Sequence, residues 1–421
     1  MSSAIEQLPT ELVEFIASYL DATDYGCFRL ASQSLQAASF AQFTKRYVAR
    51  LSISLEPPKL RKFTRLLWRK PLAKAINHLV IDMDDHGEYH LEKTFGEING
   101  QPVPDTVLET EHLKDAIVHA LNEKARLYSD IARSDGESTV LVDMLAQTLE
   151  KCKKLQGIRF YFNGHYIAAP PPMYESSVDI FQATCFKITL DAVIKSGINL
   201  RYFSTVEDGS LPEDDCSIIP YTSFLLPIPY LLQLKEAFTE LKSICICINI
   251  VLRGFARIPG WEHGISQFFS TATNLEHLSL YLATEMSMAI TSVAVVRSLT
   301  TTTSFHKLRS FRLGGAKFEE NDLALFSQNH SASLRELVFA DVMLTTGTWK
   351  SLLRIFRDVL ELERFRLYWP WEGDPPCLVT CPGYSNPLDF STAATNPKAT
   401  RNLKEALTFL IENHTVNDEP L

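Results

Sequence analysis

One short pattern, leucine-x-x-apolar-x-apolar, recurs along this chain and constrains its fold more than any other feature. It appears as Ile76/Leu79/Ile81, Leu155/Ile158/Phe160, Leu241/Ile244/Ile246, Leu275/Leu278/Leu280, Leu308/Phe311/Leu313, Leu334/Leu337/Phe339 and Leu362/Phe365/Leu367. Leu200/Phe203/Thr205 is a weaker copy with a polar third position. A lone copy is only a buried strand. Repeated, it marks a unit that cannot bury its apolar side alone and stacks on the next. Leu308 to Leu334 is 26 residues and Leu334 to Leu362 is 28, within or close to the length of a short strand–helix repeat; the longer intervals before them require insertions.

Helical periodicity fills the gaps at Val140–Lys151, Phe181–Lys195, Ile265–Thr273, Asp322–Asn329 and Thr348–Val359, and again at Lys404–Asn413, which reads as a terminal cap. Strand, turn, helix and strand again predict an α/β, leucine-rich-repeat-like solenoid over 76–369, with a parallel sheet on its concave face. The inserts are polar. Asp82–Asp115 carries ten acidic residues against Lys93 and Lys114, and Asn163–Val178, Glu207–Pro220 and Pro370–Pro397 read as irregular segments. The C-terminal 370–421 is expected to be a loop and a capping helix.

With 46% hydrophobic residues in 421, the chain can bury a large core. Its net charge of −9 argues against nucleic acid as the main partner. The apolar stretches near Ile218–Leu232 and Ile244–Leu252 are short or broken by proline, so no membrane span is expected. Met1–Gln7 lacks the basic and apolar regions of a signal peptide, and eight scattered cysteines read as reduced thiols, so an intracellular place, cytoplasmic or nuclear, is expected.

The first fifty residues read as a cluster of short helices. Pro9 suits a helix start, and Leu12, Phe15, Ile16, Tyr19 and Leu20 recur at helical spacing. Asp21, Thr23 and Asp24 offer cap chemistry; a second helix carries Tyr25, Phe28 and Leu30, a third Leu35 and Phe40, and a fourth is expected near Gln42–Leu51. About 45 residues are too few to bury enough surface alone, so these helices should hold apolar faces against something else.

The string LPTELVEFIASYLDATDYGCFRLASQSLQAAS resembles an F-box. The pattern opens with Leu8 and Pro9, continues through Glu11, Leu12, Ile16, Leu20 and Asp24, and closes on Phe28, Arg29, Leu30, Ala31, Ser32 and Leu35. Phe28 replaces the usual leucine, Gln33 stands where a basic residue is common, and Leu35 stands where many members carry tryptophan. The resemblance implies an F-box over 1–51, a linker helix over 52–75, and a role. The module would dock a Skp-type adaptor, and through it a cullin, using Leu8, Pro9, Leu12, Ile16, Leu20, Leu30 and Leu35. The rest of the chain would select a protein substrate for ubiquitination. No bond chemistry, cofactor or metal is implied. A scaffold with the same module and no role in degradation shares every one of these features. An unrecognised hydrolase is the reading from another class.

Other residues invite chemistry and are better read as structure. Asp82, Asp84, Asp85, His86, Glu88 and His90 lack the ligand order of a calcium loop and read as a solvated strand end. Cys377 and Cys381 are half a zinc site without a second half. Cys245 and Cys247 alternate with isoleucines and belong to the sheet's other face. Lys59–Lys74 holds seven basic residues and no acid; it reads as the solvated face of the linker helix behind Leu60, Phe63, Leu66 and Leu67, with a nuclear-import signal or phosphate patch as the sharper alternative.

Period-two alternation also assigns a recognition surface. The residues between the template positions point away from the core and include Arg159, Tyr161, Tyr281, Arg312, Arg364, Arg366 and Tyr368. Arginine and tyrosine are enriched at interface hot spots, and guanidinium groups grip carboxylates or phosphates at two points. The C-terminal half of this face is therefore expected to bind an acidic or phosphorylated segment, lidded by Pro370–Pro397, with Glu336 available to neutralise some of the arginines.

Overall fold

The computed structural model describes residues 4–68, 70–83, 137–161, 172–206, 217–250, 259–283, 290–373, 377–380, 388–391, 403–413 and 415–416. The N-terminal helices are short because each is capped and stopped locally. α1 (Thr10–Ser18) starts directly after Pro9. α2 (Ala22–Ala31) is capped by the Asp21 side chain, which accepts the Asp24 N–H at 2.8 Å. α3 (Gln33–Ala38) is capped by Ser32, which accepts the Leu35 N–H at 3.1 Å. α4 (Phe40–Phe43) passes into a wide π-type turn, Thr44–Val48, instead of the longer helix expected to Leu51. Val13, Ala17, Tyr25 and Leu35 are buried, and the Tyr25 hydroxyl donates to the Ser39 carbonyl at 2.7 Å. Arg46 donates to the Leu20 carbonyl at 2.7 Å, just past the end of α1, which ties that helix to the π turn.

The body is mixed α/β, built on a mostly parallel sheet with 14 strands among the described residues. Its strands and helices alternate: β1 (Arg50–Ser54), α5 (Pro57–Leu66), α6 (Lys70–Ala73), β2 (His78–Asp82), α7 (Glu137–Lys151), β3 (Gly157–Tyr161), α8 (Pro172–Ser196), β4 (Tyr202–Ser204), β5 (Ile218–Pro220), α9 (Ile228–Ala237) and β6 (Ser243–Asn249). They continue as α10 (Trp261–Ser270), β7 (His277–Ala283), α11 (Ile290–Thr302), β8 (Ser310–Gly314), β9 (Lys317–Glu319), α12 (Glu320–Asn329), β10 (Glu336–Thr346), α13 (Trp349–Val359) and β11 (Arg364–Glu372). The chain closes with β12 (Cys377–Thr380), β13 (Leu388–Ser391), α14 (Leu403–Asn413) and β14 (Thr415–Val416). From β1 to β11 the order across the sheet follows the sequence and the pairing is parallel, with β5 and β9 as short strands beside β6 and β10.

A repeated backbone device holds the register. The Gln156 carbonyl accepts both the Arg201 and Tyr202 N–H groups, Arg201 does the same for Lys242 and Ser243, and Lys242 for Glu276 and His277. Glu276, Arg309 and Arg335 continue the ladder to β11. Each unit therefore enters the sheet by the same turn, and the template apolar residues fall in line behind it. All are buried except Leu362, which is half-buried against the core. The polar position of the weak copy has a use: the buried Thr205 hydroxyl accepts the Cys247 N–H at 2.8 Å, completing the sheet beyond the short β4.

Several expectations are corrected. The sheet starts at Arg50, not at residue 76, because Ser52 and Ser54 alternate with Leu51 and Ile53 as a strand does. The expected single linker helix over 52–75 is thus a strand end followed by two helices. Asn163–Val178 does not stay irregular, since α8 begins at Pro172. After residue 370 the described residues include strands as well as the expected helix: β11 runs to Glu372, β12 and β13 pair antiparallel with it, and β14 pairs with β12, while 374–376, 381–387 and 392–402 lie outside the described residues. Residues 84–136 and Cys381 lie outside the described residues, and with them most of the acidic-histidine run and half of the cysteine pair.

Candidate functional site

Two surfaces carry the residues singled out from sequence. The first is on the N-terminal helices. The apolar positions of α1 and its C-cap Tyr19 divide into two sets on opposite sides of the helix. Val13 and Ala17 face inward and are buried, whereas Leu12, Phe15 and Tyr19 are 49%, 59% and 75% exposed. Phe15 and Tyr19 pack edge-to-face, 5.1 Å between ring centroids. On α2, Leu30 is 85% exposed. Leu8, Ile16 and Leu20 are half-buried, Pro9 is exposed, and Leu35 is inside the module, so Leu35 supports this face and is not part of it. Leu12, Phe15, Tyr19 and Leu30 are thus large apolar side chains that the module leaves exposed.

The second surface is the open face of the sheet. Register assembles the alternating outward residues into rows. One row runs Arg50, His78, Gly157, Tyr202, Ser243, His277, Ser310, Glu336, Arg364. The next runs Ser52, Val80, Arg159, Ser204, Cys245, Ser279, Arg312, Val338, Arg366. Tyr161, Tyr281 and Tyr368 stand one row further. The register thus places Arg159, Tyr161, Tyr281, Arg312, Arg364, Arg366 and Tyr368 on one face of the sheet.

Compared with protein-family models and with curated proteins, the chain matches none.

The electrostatics of the face are more balanced than a count of arginines implies. Glu336 Oε1 accepts from Arg312 Nη2 at 3.0 Å and lies 3.4 Å from Arg364 Nη1, so one carboxylate serves two guanidinium groups on the strands either side of it. Arg366 is one row on, in line with Arg312 across Val338. The Arg159 guanidinium lies over the Tyr161 ring, 5.7 Å from its centroid. Small residues let large ones lie flat. A Cβ on Gly314 would come 2.2 Å from Tyr281 Cδ2, and one on Gly157 would come 2.8 Å from His78 Nδ1, so each ring crosses its neighbouring strand only because that strand has glycine there. His78 and Tyr202 meet across Gly157 with ring centroids 5.9 Å apart. Both were missed in the sequence reading, although alternation about Leu79 and Phe203 places them on the same face. Between the arginine-bearing ends lie Ser204, Cys245 and Ser279; Cys247, by contrast, is fully buried.

Among the described residues, the helical side offers one serine–histidine contact. His263 Nδ1 is 2.9 Å from Ser298 Oγ, and Glu262 is 3.9 Å from His263 Nε2. Ser298 is buried and shares its hydroxyl with Ser266 at 2.8 Å, so the oxygen is held by two protein partners and not presented to a substrate. Among the described residues, no group of three or more His, Cys, Asp or Glu is placed to hold a metal ion, and no helix is long and apolar enough to cross a membrane.

Proposed function

We propose that this chain is a substrate-recognition adaptor of a Skp–cullin–F-box type ubiquitin ligase, its N-terminal helices acting as an F-box and its strand–helix units as a leucine-rich-repeat-like solenoid. The observation that carries the reading is the exposed set Leu12, Phe15, Tyr19 and Leu30 on a module whose sequence resembles an F-box. Apolar anchors of this kind are the part of an interface that carries most of its energy. The stacked units then leave a broad polar face for a protein substrate, in keeping with the way repeat arrays bind. On that face Arg159, Tyr161, Tyr281, Arg312, Arg364, Arg366 and Tyr368 are the assigned contact residues. Glu336 makes the C-terminal end less basic than the sequence implies, so a carboxylate or phosphate partner competes with it for Arg312 and Arg364.

Deleting the first fifty residues is a poor test, because Val48 belongs to the core and the Ala49 carbonyl accepts the Asn77 and His78 N–H groups. The better experiment mixes the intact chain with a Skp-type adaptor and a cullin and repeats it with Leu12→Ala, Phe15→Ala and Tyr19→Ala combined. Capture by the intact chain and loss in the variant are expected; no capture by the intact chain sinks the F-box reading. Arg312→Glu with Arg366→Glu should keep the adaptor and lose the substrate. An unchanged set of captured partners places recognition elsewhere.

A further inference from the structure

The basic run after β1 has the pattern of a solvated helix face, but two of its apolar residues, Leu66 and Trp68, do not turn inward. α5 turns Leu60, Phe63 and Leu67 inward, and Thr64 Oγ1 meets Thr148 Oγ1 of α7 at 2.8 Å. Leu66 does not join them. It is 48% exposed on the outer side of the helix, and Trp68, in the turn that follows, is 75% exposed. The same helices carry the exposed cations Arg61, Lys62 and Arg65 on α5 and Lys70 with Lys74 at α6, on both sides of this apolar pair in sequence. α7 brings more: Lys151 Nζ sits 4.6 Å from the centroid of the Trp68 ring, and Lys153 and Lys154 follow in the next turn, both exposed. The described acids nearby are Glu56, paired with Lys59 at 2.9 Å, and the exposed Glu150. The chain as a whole carries a net charge of −9, so this concentration of cations runs against the protein's overall sign.

We infer that the α5–α6 surface, with Trp68 and Leu66 at its centre, is a docking site for an anionic lipid surface. Three features select that occupant. The cations come from two separate elements and flank an apolar pair in sequence. An indole beside a branched aliphatic side chain suits the boundary between headgroups and acyl chains, where tryptophan collects and lysine and arginine stay at the phosphates. Lys151 already covers one face of the Trp68 ring, which leaves it poorly disposed to sandwich a nucleic-acid base. A surface contact of this kind needs no spanning helix, and it involves none of the residues of the proposed adaptor or substrate surfaces. The helical state of residues 57–66 also sets aside the import-signal alternative in its extended form.

The test is co-sedimentation of the full chain with phosphatidylcholine vesicles that contain about a third phosphatidylserine, beside pure phosphatidylcholine vesicles. Binding to the first and not to the second is expected, with loss on raising the salt to about 0.5 M. Each cation near an anionic surface is worth about fivefold in affinity, so Arg61→Gln, Lys62→Gln and Arg65→Gln together should weaken binding about a hundredfold while leaving the melting temperature unchanged. Vesicle binding should also shift tryptophan fluorescence to the blue, and Trp68→Phe should keep most of the binding while losing most of that shift. Equal binding to both vesicle types, no binding to either, or binding undiminished in the triple variant would overturn the assignment. So would tight binding of a short RNA by a chain that ignores the vesicles.

Discussion

Asp341 and Trp369 stand opposite each other on β10 and β11 and share a left-handed backbone conformation, uncommon for any residue with a Cβ and most of all for a bulky one such as tryptophan. The register pairs Ala340 with Tyr368 and Val342 with Pro370, and the two residues between have φ of 50° and 41°. On the other side, Gly314 pairs with Ala340 and Lys317 with Met343, so Gly315, φ 59°, faces Asp341. Three successive units thus make the same left-handed step two residues after the third template position, and strand pairing resumes beyond it.

That step sets the first prediction. Left-handed backbone costs a residue with a Cβ on the order of 1 kcal/mol, least for asparagine, aspartate and glycine. Asp341 is exposed. Asp341→Gly should therefore stabilise the fold by about 0.5 kcal/mol, and Asp341→Val should destabilise it by about 1–2 kcal/mol. Urea unfolding checks both; equal midpoints for the two variants would show that the bend is not held by this position.

His330 links stability to pH. It is buried, its Nε2 accepts the Phe305 N–H at 3.1 Å, and its Nδ1 is 2.8 Å from the Phe326 carbonyl, which fixes the neutral ring with the proton on Nδ1. Burial, the largest cause, holds its pKa below the usual histidine value. A depressed folded pKa means that the unfolded chain takes up the proton first. The contribution is present in full above the unfolded value of about 6.5 and is lost as the pH falls through the folded value. His330→Gln should flatten the dependence of stability on pH below about 6.5. His330→Ala should cost about 1–3 kcal/mol at neutral pH, because the Phe305 N–H loses its acceptor. An unaltered pH profile for the glutamine variant would mean that another group titrates.

On the N-terminal module, exposure separates binding from stability. Phe15→Ala should lower adaptor affinity by about 1–2 kcal/mol and leave the melting temperature nearly unchanged. Leu35→Ala removes a buried side chain and should cost about 2–5 kcal/mol of stability, with adaptor capture lost only as the module unfolds. Titration of adaptor against each variant, beside thermal melts, distinguishes the two. If Leu35→Ala spares the fold, the inward packing of α1 and α3 is not what holds the module.

These residues show what was legible from sequence. Alternation in Leu275/Leu278/Leu280 and its companions gave strands, faces and rows, because a period of two leaves little freedom once a core side is chosen. The same counting failed on α1. Five apolar residues at helical spacing do not say that Leu12, Phe15 and Tyr19 face out while Val13 and Ala17 face in; that depends on which side α3 and α4 cover. α9 was hidden by Pro227 and Pro229, which break a run when read as punctuation but serve as a helix start when followed by Tyr230–Ala237. The threonine-rich end of α11 weakened its helical signal. The C-terminal strands were obscured by the prolines and glycines around them. The charge balance at Glu336 could be suspected but not assigned, since its two partners are set by pairing with β8 and β11, 24 and 28 residues away.

The last prediction concerns the core beneath the N-terminal half of the sheet. Phe268 of α10 lies 5.1 Å from Phe224, 5.9 Å from Phe186, 5.9 Å from Phe238 and 6.3 Å from Phe203, centroid to centroid. Phe186 in turn meets Phe160 at 5.4 Å. The cluster therefore ties β3 and β4 to α8 and α10 through rings that are all fully buried. Phe268 touches four of them, so truncation leaves a hole that no single neighbour can fill by changing rotamer. Phe268→Ala should cost about 3–5 kcal/mol. Phe268→Leu, which keeps most of the volume, should cost nearer 1–2 kcal/mol. Equilibrium urea unfolding of the full chain measures both. A loss below about 1 kcal/mol for the alanine variant would mean that the units on either side of α10 are held together by their backbone ladder and not by this shared core.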